Sequence, residues 1–336
     1  MSNPMPPQPV AEHAISSSKA FEDIRRSGTP AVIRGLASHW PSVQAAVDSD
    51  QAFADHVTQN ASPQPINAIV ASHDKQGRFF YDEDLTKFNF VSGRGAFTDF
   101  VNDLMRLRDD PRPPSVAVQS TPVDSIIAGF SQQNRLDILA HVEPRIWLGN
   151  AIRVAPHYDV KENVAVCVAG QRRFTLFPPE QTPNLYPGPF EKTPAGTPVS
   201  MVDQQSPDLD KYPRYSKAWP HALQTTLEPG DAIYIPYCWW HGVESLSPVS
   251  CLINYWWNDA NPALAGPYDA LLHALAAFRH LPPEQRRVWQ MMLNHYVFEE
   301  NGDPAAHLPD HAKGILGPAS PELIAQMRQM LRGIIK

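Results

Sequence analysis

Between residues 113 and 257 the chain is a succession of short apolar runs cut apart by proline and glycine. The runs read SVAVQS, RIWLGN, NVAVCVAG, RRFTLFPP, DAIYIPY and VSCLINYWW. Short strands bounded by turn residues at this spacing predict a sandwich or small barrel. Proline points the same way. The chain has 35 prolines in 336 residues, roughly twice the ~5% norm, and proline breaks long helices. This argues against an all-helical bundle, and a mainly β core with flanking helices is expected.

Helical spacing frames this core. Residues 13 to about 62 read as mainly helical, with Ser17 or Ser18 capping a helix through Phe21 and Ile24 and a second helical stretch from Trp40 to Val57. TPAVIRGL (29–36) is a short strand between them. A further strand is expected near Phe79–Tyr81, and AFTDFVNDLMRLR (96–108) has helical spacing. Residues 180–225 form a long connection, a length that in a compact domain usually signals function or mobility. The reading divides the chain into a tail (1–12), an α/β and jelly-roll domain (13–258, core about 113–257) and a C-terminal helical region (259–336).

Composition narrows the partners. The formal net charge is −7, and duplex-binding domains are usually basic, so nucleic acid is disfavoured. No run approaches 18 apolar residues, so no membrane span is expected. The opening MSNPMPPQPV lacks the basic and apolar regions of a signal peptide and reads as a disordered tail. Cys167, Cys238 and Cys251 are odd in number and show no C-x-x-C spacing. They read as reduced thiols packed as small hydrophobes, and the cytoplasm is the expected location.

The chemistry sits in APHYDVKENVAVCVAGQRRFTLFPPEQ (155–181). His157 and Asp159 are two apart, which puts both on one face of an extended strand. An imidazole beside a carboxylate begins a two-His-one-carboxylate site, which holds iron on one octahedral face. TLEPGDAIYIPYCWWHGVESL (226–246) offers the third ligand. Glu228–Asp231 form a turn, Ala232–Pro236 an apolar strand, and His241 follows in an aromatic neighbourhood where an unpaired imidazole would be costly. If Gly170-Gln171 is a two-residue hairpin loop, Ala169 faces Arg172, Cys167 faces Phe174 and Asn163 faces Pro178. Cross-strand partners share a face, so His157, Asp159, Asn163 and Arg172 line one cavity, suited to an anion that chelates metal at one end and meets a cation at the other.

The H-x-D…H spacing, HYDVKENVAV, GQRRFTLFPPEQ, LEPGDAIYIPYCWWHGVESL and INYWW together resemble JmjC-type, cupin-like 2-oxoglutarate oxygenases. Within them the chain is most similar to the asparaginyl hydroxylase that inhibits the hypoxia-inducible factor and its bacterial cupin-like relatives. The resemblance covers about 144–257 strongly, and PAVIRGLASHWP looks like the family's N-terminal region. It implies a double-stranded β-helix, Fe(II) held by His157, Asp159 and His241, and 2-oxoglutarate and O2 as co-substrates. Asn163 and Asn254 stand at the positions of the family's pocket asparagines. Arg172 stands where that hydroxylase has the lysine that grips the distal carboxylate. Val154 replaces a threonine contact, and VAVQS holds no tyrosine to match the other carboxylate contact, leaving Gln119 as a pocket residue.

The bland readings stand beside these. His157 alone would be an ordinary satisfied histidine, and Arg172 alone a salt-bridged hairpin arginine. Glu244 anchors a loop or supports His241. The cluster Trp239, Trp240, Tyr255, Trp256 and Trp257 reads as core. The apolar stripes of the C-terminal helices, with Met291, Met292, Ile324, Met327 and Leu331, serve packing or a homodimer interface, as in the hydroxylase it resembles. The expected substrate is a protein side chain or a small molecule. Two rivals stay open: a non-catalytic metal-binding sensor or scaffold, and a cupin isomerase or dioxygenase that works without 2-oxoglutarate.

Overall fold

The computed structural model of the protein describes residues 6–15, 17–260 and 266–334. Its strands, in chain order, are β1 (Gln8–Pro9), β2 (Ala11–Glu12), β3 (Ala31–Ile33), β4 (Ile66–Ala71), β5 (Val91–Gly95), β6 (Ser115–Pro122), β7 (Pro144–Gly149), β8 (Arg153–Tyr158), β9 (Glu162–Ala169), β10 (Arg172–Phe177), β11 (Leu223–Leu227), β12 (Ala232–Ile235), β13 (Trp240–Ser245) and β14 (Ser250–Trp257). Its α-helices are α1 (Ser18–Arg26), α2 (Pro41–Asp48), α3 (Asp50–Gln59), α4 (Phe97–Leu107), α5 (Val123–Ile126), α6 (Phe130–Gln133), α7 (Tyr215–Ala218), α8 (Pro267–Phe278), α9 (Pro283–Tyr296) and α10 (Pro321–Ile334). The chain divides into two compact units at Asn258/Asp259.

From β7 to β14 the chain builds a double-stranded β-helix. One sheet runs β1-β11-β10-β13-β8, the other β2-β3-β12-β9-β14-β7-β6-β4-β5. All pairings among β7–β14 are antiparallel. The sequence of β9 shows why the two layers close. Val164, Val166 and Val168 pack with Trp40, Phe53, Phe97 and Leu104 of the helical flank. Ala165 and Cys167 pack between the sheets against Phe174, Leu176 and Leu252. A strand covered on both faces reads as a continuous apolar run, as NVAVCVA does. Asn163 falls on the inter-sheet face with Ala165 and Cys167.

The structure corrects several expectations. No β9–β10 hairpin forms: β9 pairs with β12 and β14, and β10 with β11 and β13. At Gly170-Gln171 the chain crosses from one sheet to the other. Gly170 has φ +67°, and a Cβ there would lie 2.4 Å from the Val249 carbonyl oxygen, so glycine alone fits this close crossing. Arg172 and Asn163 therefore reach a common interior across the sandwich, not as neighbours in one ladder. The tail expected over 1–12 is paired in its second half: β1 runs parallel to β11 and β2 to β3, with Val10 buried between them. Met1–Met5 lie outside the described residues. Residues 79–81 form no strand. They pack as an aromatic cluster, and the strands of this region are β4 and β5. The Trp40–Val57 stretch is two helices, broken at Ser49, which caps the second by accepting from Ala52 N–H at 3.0 Å.

In the second unit, α8, α9 and α10 carry large apolar side chains outward. Leu271 and Leu272 on α8, Val288, Trp289, Met291 and Met292 on α9, and Met330 and Leu331 on α10 are all exposed. Among its described residues only Pro304 and Ala305 are buried.

Candidate metal centre

His157 ends β8's inward face, and Asp159 is the first residue but one beyond it. His241 lies on β13, directly opposite His157 in the ladder. The two imidazole centroids are 4.4 Å apart, tilted 51°. One donor atom from each of His157, Asp159 and His241 can be drawn with all three within 4.8 Å of one another. Both imidazoles are buried and held from behind. His157 Nδ1 is 3.0 Å from Ala155 O, and His241 Nδ1 is 3.0 Å from Trp239 O. A carbonyl only accepts, so each Nδ1 carries a proton and each Nε2 is the ring atom left to face the centre, the arrangement that orients metal-binding histidines. Asp159 Oδ2 accepts from the Trp256 indole N–H at 3.0 Å and lies 3.5 Å from His241 Nε2.

The electrostatics favour a cation. Burial and the neighbouring His241 hold His157 down at about 4, so its lone pair is free at neutral pH. Burial works on Asp159 too, but contacts with His241, His157 and Trp256 outweigh it and keep the carboxyl below its usual range. Burial pulls His241 down, and Asp159 overrides this and raises it. Two neutral-capable imidazoles and one carboxylate on a buried face fit a divalent first-row ion, and the donor set matches the facial triad of non-haem Fe(II).

Behind the triad lies a pocket of about 40 Å³ between the sheets. Its wall includes His157, His241, Asn163, Arg172, Asn254 and Trp256. Arg172 is 3% exposed. Its Nε donates to Ser250 Oγ at 2.9 Å, and Nη2 to Trp147 O at 3.1 Å and Ser250 O at 3.3 Å. Among the described residues no carboxylate pairs with it, and Nη1 has no protein acceptor. Burial lowers its pKa, and the nearest ionisable groups are the thiols of Cys167 and Cys251, each pushed up to about 12 by burial. A buried cation without a counter-ion is costly by several kcal/mol, so this site fits an anionic ligand. Trp147 Nε1 donates to Asn254 Oδ1 at 2.8 Å, and Asn254 Nδ2 to Asn163 Oδ1 at 3.4 Å.

Arg172, Asn163 and Asn254 thus join His157 and His241 in lining one cavity. Gln119 does not. It borders a separate small cavity with Phe79, Phe90 and Pro194, and only Val154 lines both. Glu244 turns to the outer face, where it pairs with Arg173 at 3.1 Å, and gives His241 no support. Two pocket residues escaped the sequence reading. Trp256 and Trp147 are cavity walls, their rings edge to face with centroids 5.8 Å apart. For Trp256 the signal was present: it is two residues from Asn254 on β14 and so on the same face.

A family profile described as a cupin-like domain matches residues 17–262. This chain belongs to the cupin-like domain family. The cupin-like chain is similar to the Arabidopsis thaliana lysine-specific demethylase JMJ31, 25% identical over 74% of this chain and 49% of that protein. It is similar to human HSPB1-associated protein 1, 35% identical over 44% of this chain and 30% of that protein. Drosophila melanogaster Jumonji C domain-containing protein 5 is 28% identical over 72% of this chain and 56% of its own length. The chain therefore spans about half or less of these curated relatives.

Proposed function

We propose that this cupin-like protein is an Fe(II)- and 2-oxoglutarate-dependent oxygenase, a hydroxylase or demethylase. The observation that carries the reading is Arg172, a buried guanidinium with a free Nη1 and, among the described residues, no carboxylate partner, in the cavity lined by His157 and His241 of the His157, Asp159 and His241 group. Fe(II) bound by these three would supply oxygenase chemistry: 2-oxoglutarate and O2 become succinate and CO2 as one oxygen atom enters a substrate C–H bond.

The chain's own residues have separable tasks. His157 and His241 bind through Nε2, oriented by the carbonyls of Ala155 and Trp239. Trp256 fixes the rotamer of Asp159. Arg172 binds the distal carboxylate of the co-substrate. Leu176, four residues along β10, pairs with His241. A strand rise of ~3.3 Å per residue sets Arg172 about 13 Å along the strand from the metal level, a span that a long arginine and a five-carbon diacid fill together. Asn163 and Asn254 place amides along that diacid. Trp147, Phe174, Val243 and Leu252 wall the pocket against water.

A protein side chain is the proposed substrate, which accords with relatives named as lysine-specific demethylases. Among the described residues no helix is long and apolar enough to cross a membrane. The three cysteines are free, which supports a reducing compartment such as the cytoplasm. We also propose homodimerisation through α8–α10, supported by their exposed apolar faces.

The test is anaerobic titration of the Fe(II)-loaded protein with 2-oxoglutarate, following the visible metal-to-ligand charge-transfer band. A band in the native protein that is lost in Arg172→Ala, with Fe(II) still bound, is the expected result. No band with bound iron would leave the sensor or scaffold reading in its place.

A further inference from the structure

A second cavity, about 200 Å³, lies against the outer face of β8, β10 and β13. It is lined by the residues that alternate with the metal-facing ones: Arg173 and Thr175 on β10, Gly242 and Glu244 on β13. The loop carrying Asp203 and Gln204 closes it from outside. Gly242 lies under that loop, and a Cβ there would sit 2.3 Å from Gln204 Oε1, so the Gln204 side chain would have to shift.

The wall is unbalanced in charge. It holds three guanidiniums (Arg78, Arg153, Arg173) and two carboxylates (Asp203, Glu244). Arg173 is answered by Glu244 at 3.1 Å. Arg153 is answered by Asp203 at 3.2 Å and Gln205 Oε1 at 2.7 Å. Arg78 keeps only a 3.6 Å contact with the same Asp203, and its guanidinium stacks on Phe80 at 3.7 Å. Among the described residues its Nη2 is buried without an acceptor, and Gln204 Nε2 on the same wall makes no hydrogen bond of good geometry, its side chain reaching only the Tyr215 hydroxyl. Both orphans are donors, and buried donors are normally satisfied.

We propose that this cavity binds a small oxyanion, a phosphate or carboxylate group, held by Arg78 and Gln204 with Arg153 and Arg173 flanking it. The volume suits a ligand of several heavy atoms, more than a single water, whose share of liquid is ~30 Å³. The site is distinct from the co-substrate pocket, although Val154 and Val243 line both cavities. It stands whether or not the oxygenase reading does.

Calorimetric titration of the full chain with inorganic phosphate at low ionic strength tests it, on the native protein and on Arg172→Met, Arg78→Gln and Gln204→Leu. The expected result is saturable binding that survives Arg172→Met and weakens about tenfold or more in Arg78→Gln, tenfold being one step of 1.4 kcal/mol. Thermal melts report whether each variant is folded. If Arg78→Gln is not, Gln204→Leu decides by the same criterion. Absence of saturable binding overturns the proposal. So does binding that Arg172→Met abolishes and Arg78→Gln leaves intact, which would place the phosphate in the metal pocket.

Discussion

At the residue scale, His157 and His241 face each other yet titrate in opposite directions, and this has a consequence for metal uptake. His241 is raised above its ordinary 6.5 because Asp159 outweighs burial. A raised histidine contributes stability that is complete below its unfolded pKa and lost as pH rises through the folded one. His157 lies at about 4 against an ordinary 6.5. It acts the other way, costing stability as pH falls from 6.5 toward 4. An ion bound between them must displace the proton His241 shares with Asp159. Metal binding near pH 6.5 should therefore release protons, seen as buffer-dependent binding heat, and equal heats in phosphate and Tris buffers would contradict the assignment. Trp256→Phe removes the indole N–H on Asp159 Oδ2. Loss of such a supporting contact typically costs 10–100-fold in metal affinity, and competition with a chelating dye measures it. The triad was legible because its signal is local: His157 and Asp159 are two apart, and His241 follows a Pro-Gly-Asp strand start. Sequence alone reads Trp256 as core because aromatic residues usually are, and its N–H partner becomes visible only when β14 faces β8 across the sandwich.

At the element scale, the fold turns on Gly170. Its left-handed φ of +67° and its 2.4 Å clearance to Val249 O deny it a side chain. Gly170→Ala should destabilise the protein by about 1–3 kcal/mol from strain alone, with more from the clash, read as a lower urea midpoint at unchanged slope. An unchanged midpoint would show that the crossing relaxes freely. This position also marks where sequence reasoning failed in the fold. Alternation along β9 and β10 gives each strand's faces, and in the structure Asn163 and Arg172 both turn inward, although not through the hairpin that the sequence suggests. Which strands are neighbours is a non-local fact, and VAGQRR fits a hairpin as well as a sheet crossing. Among the strands that escaped, β4, β5 and β11 share another cause. INAIVA is half-exposed at a sheet margin, VSGRG is exposed throughout and LQTTL is mostly half-buried, so none shows the apolar periodicity that reveals a buried strand.

At the scale of the whole molecule, the second unit poses a stability problem. A segment of this size folds only by removing apolar surface from water, yet α8 and α9 leave Leu271, Leu272, Val288, Trp289, Met291 and Met292 exposed, and α10 leaves Met330 and Leu331. Soluble monomers rarely present large contiguous apolar patches, and α9 alternates these residues with Arg286, Arg287 and Gln290, a helix with one face suited to another protein surface. A second copy of the chain is the partner always available at matching concentration, and a two-fold pairing buries the same face on both subunits. Light scattering behind size exclusion should then give twice the 37.5 kDa chain mass. Burying a large apolar side chain is worth about 1.5–3 kcal/mol, and a two-fold interface counts each substitution twice. Trp289→Asp or Met291→Asp should therefore shift the protein to monomer at micromolar concentration while Fe(II) affinity, set in the other unit, stays unchanged. A native protein of single-chain mass would mean that α8–α10 meet a different partner. A dimer that withstands both aspartates would place the contact elsewhere.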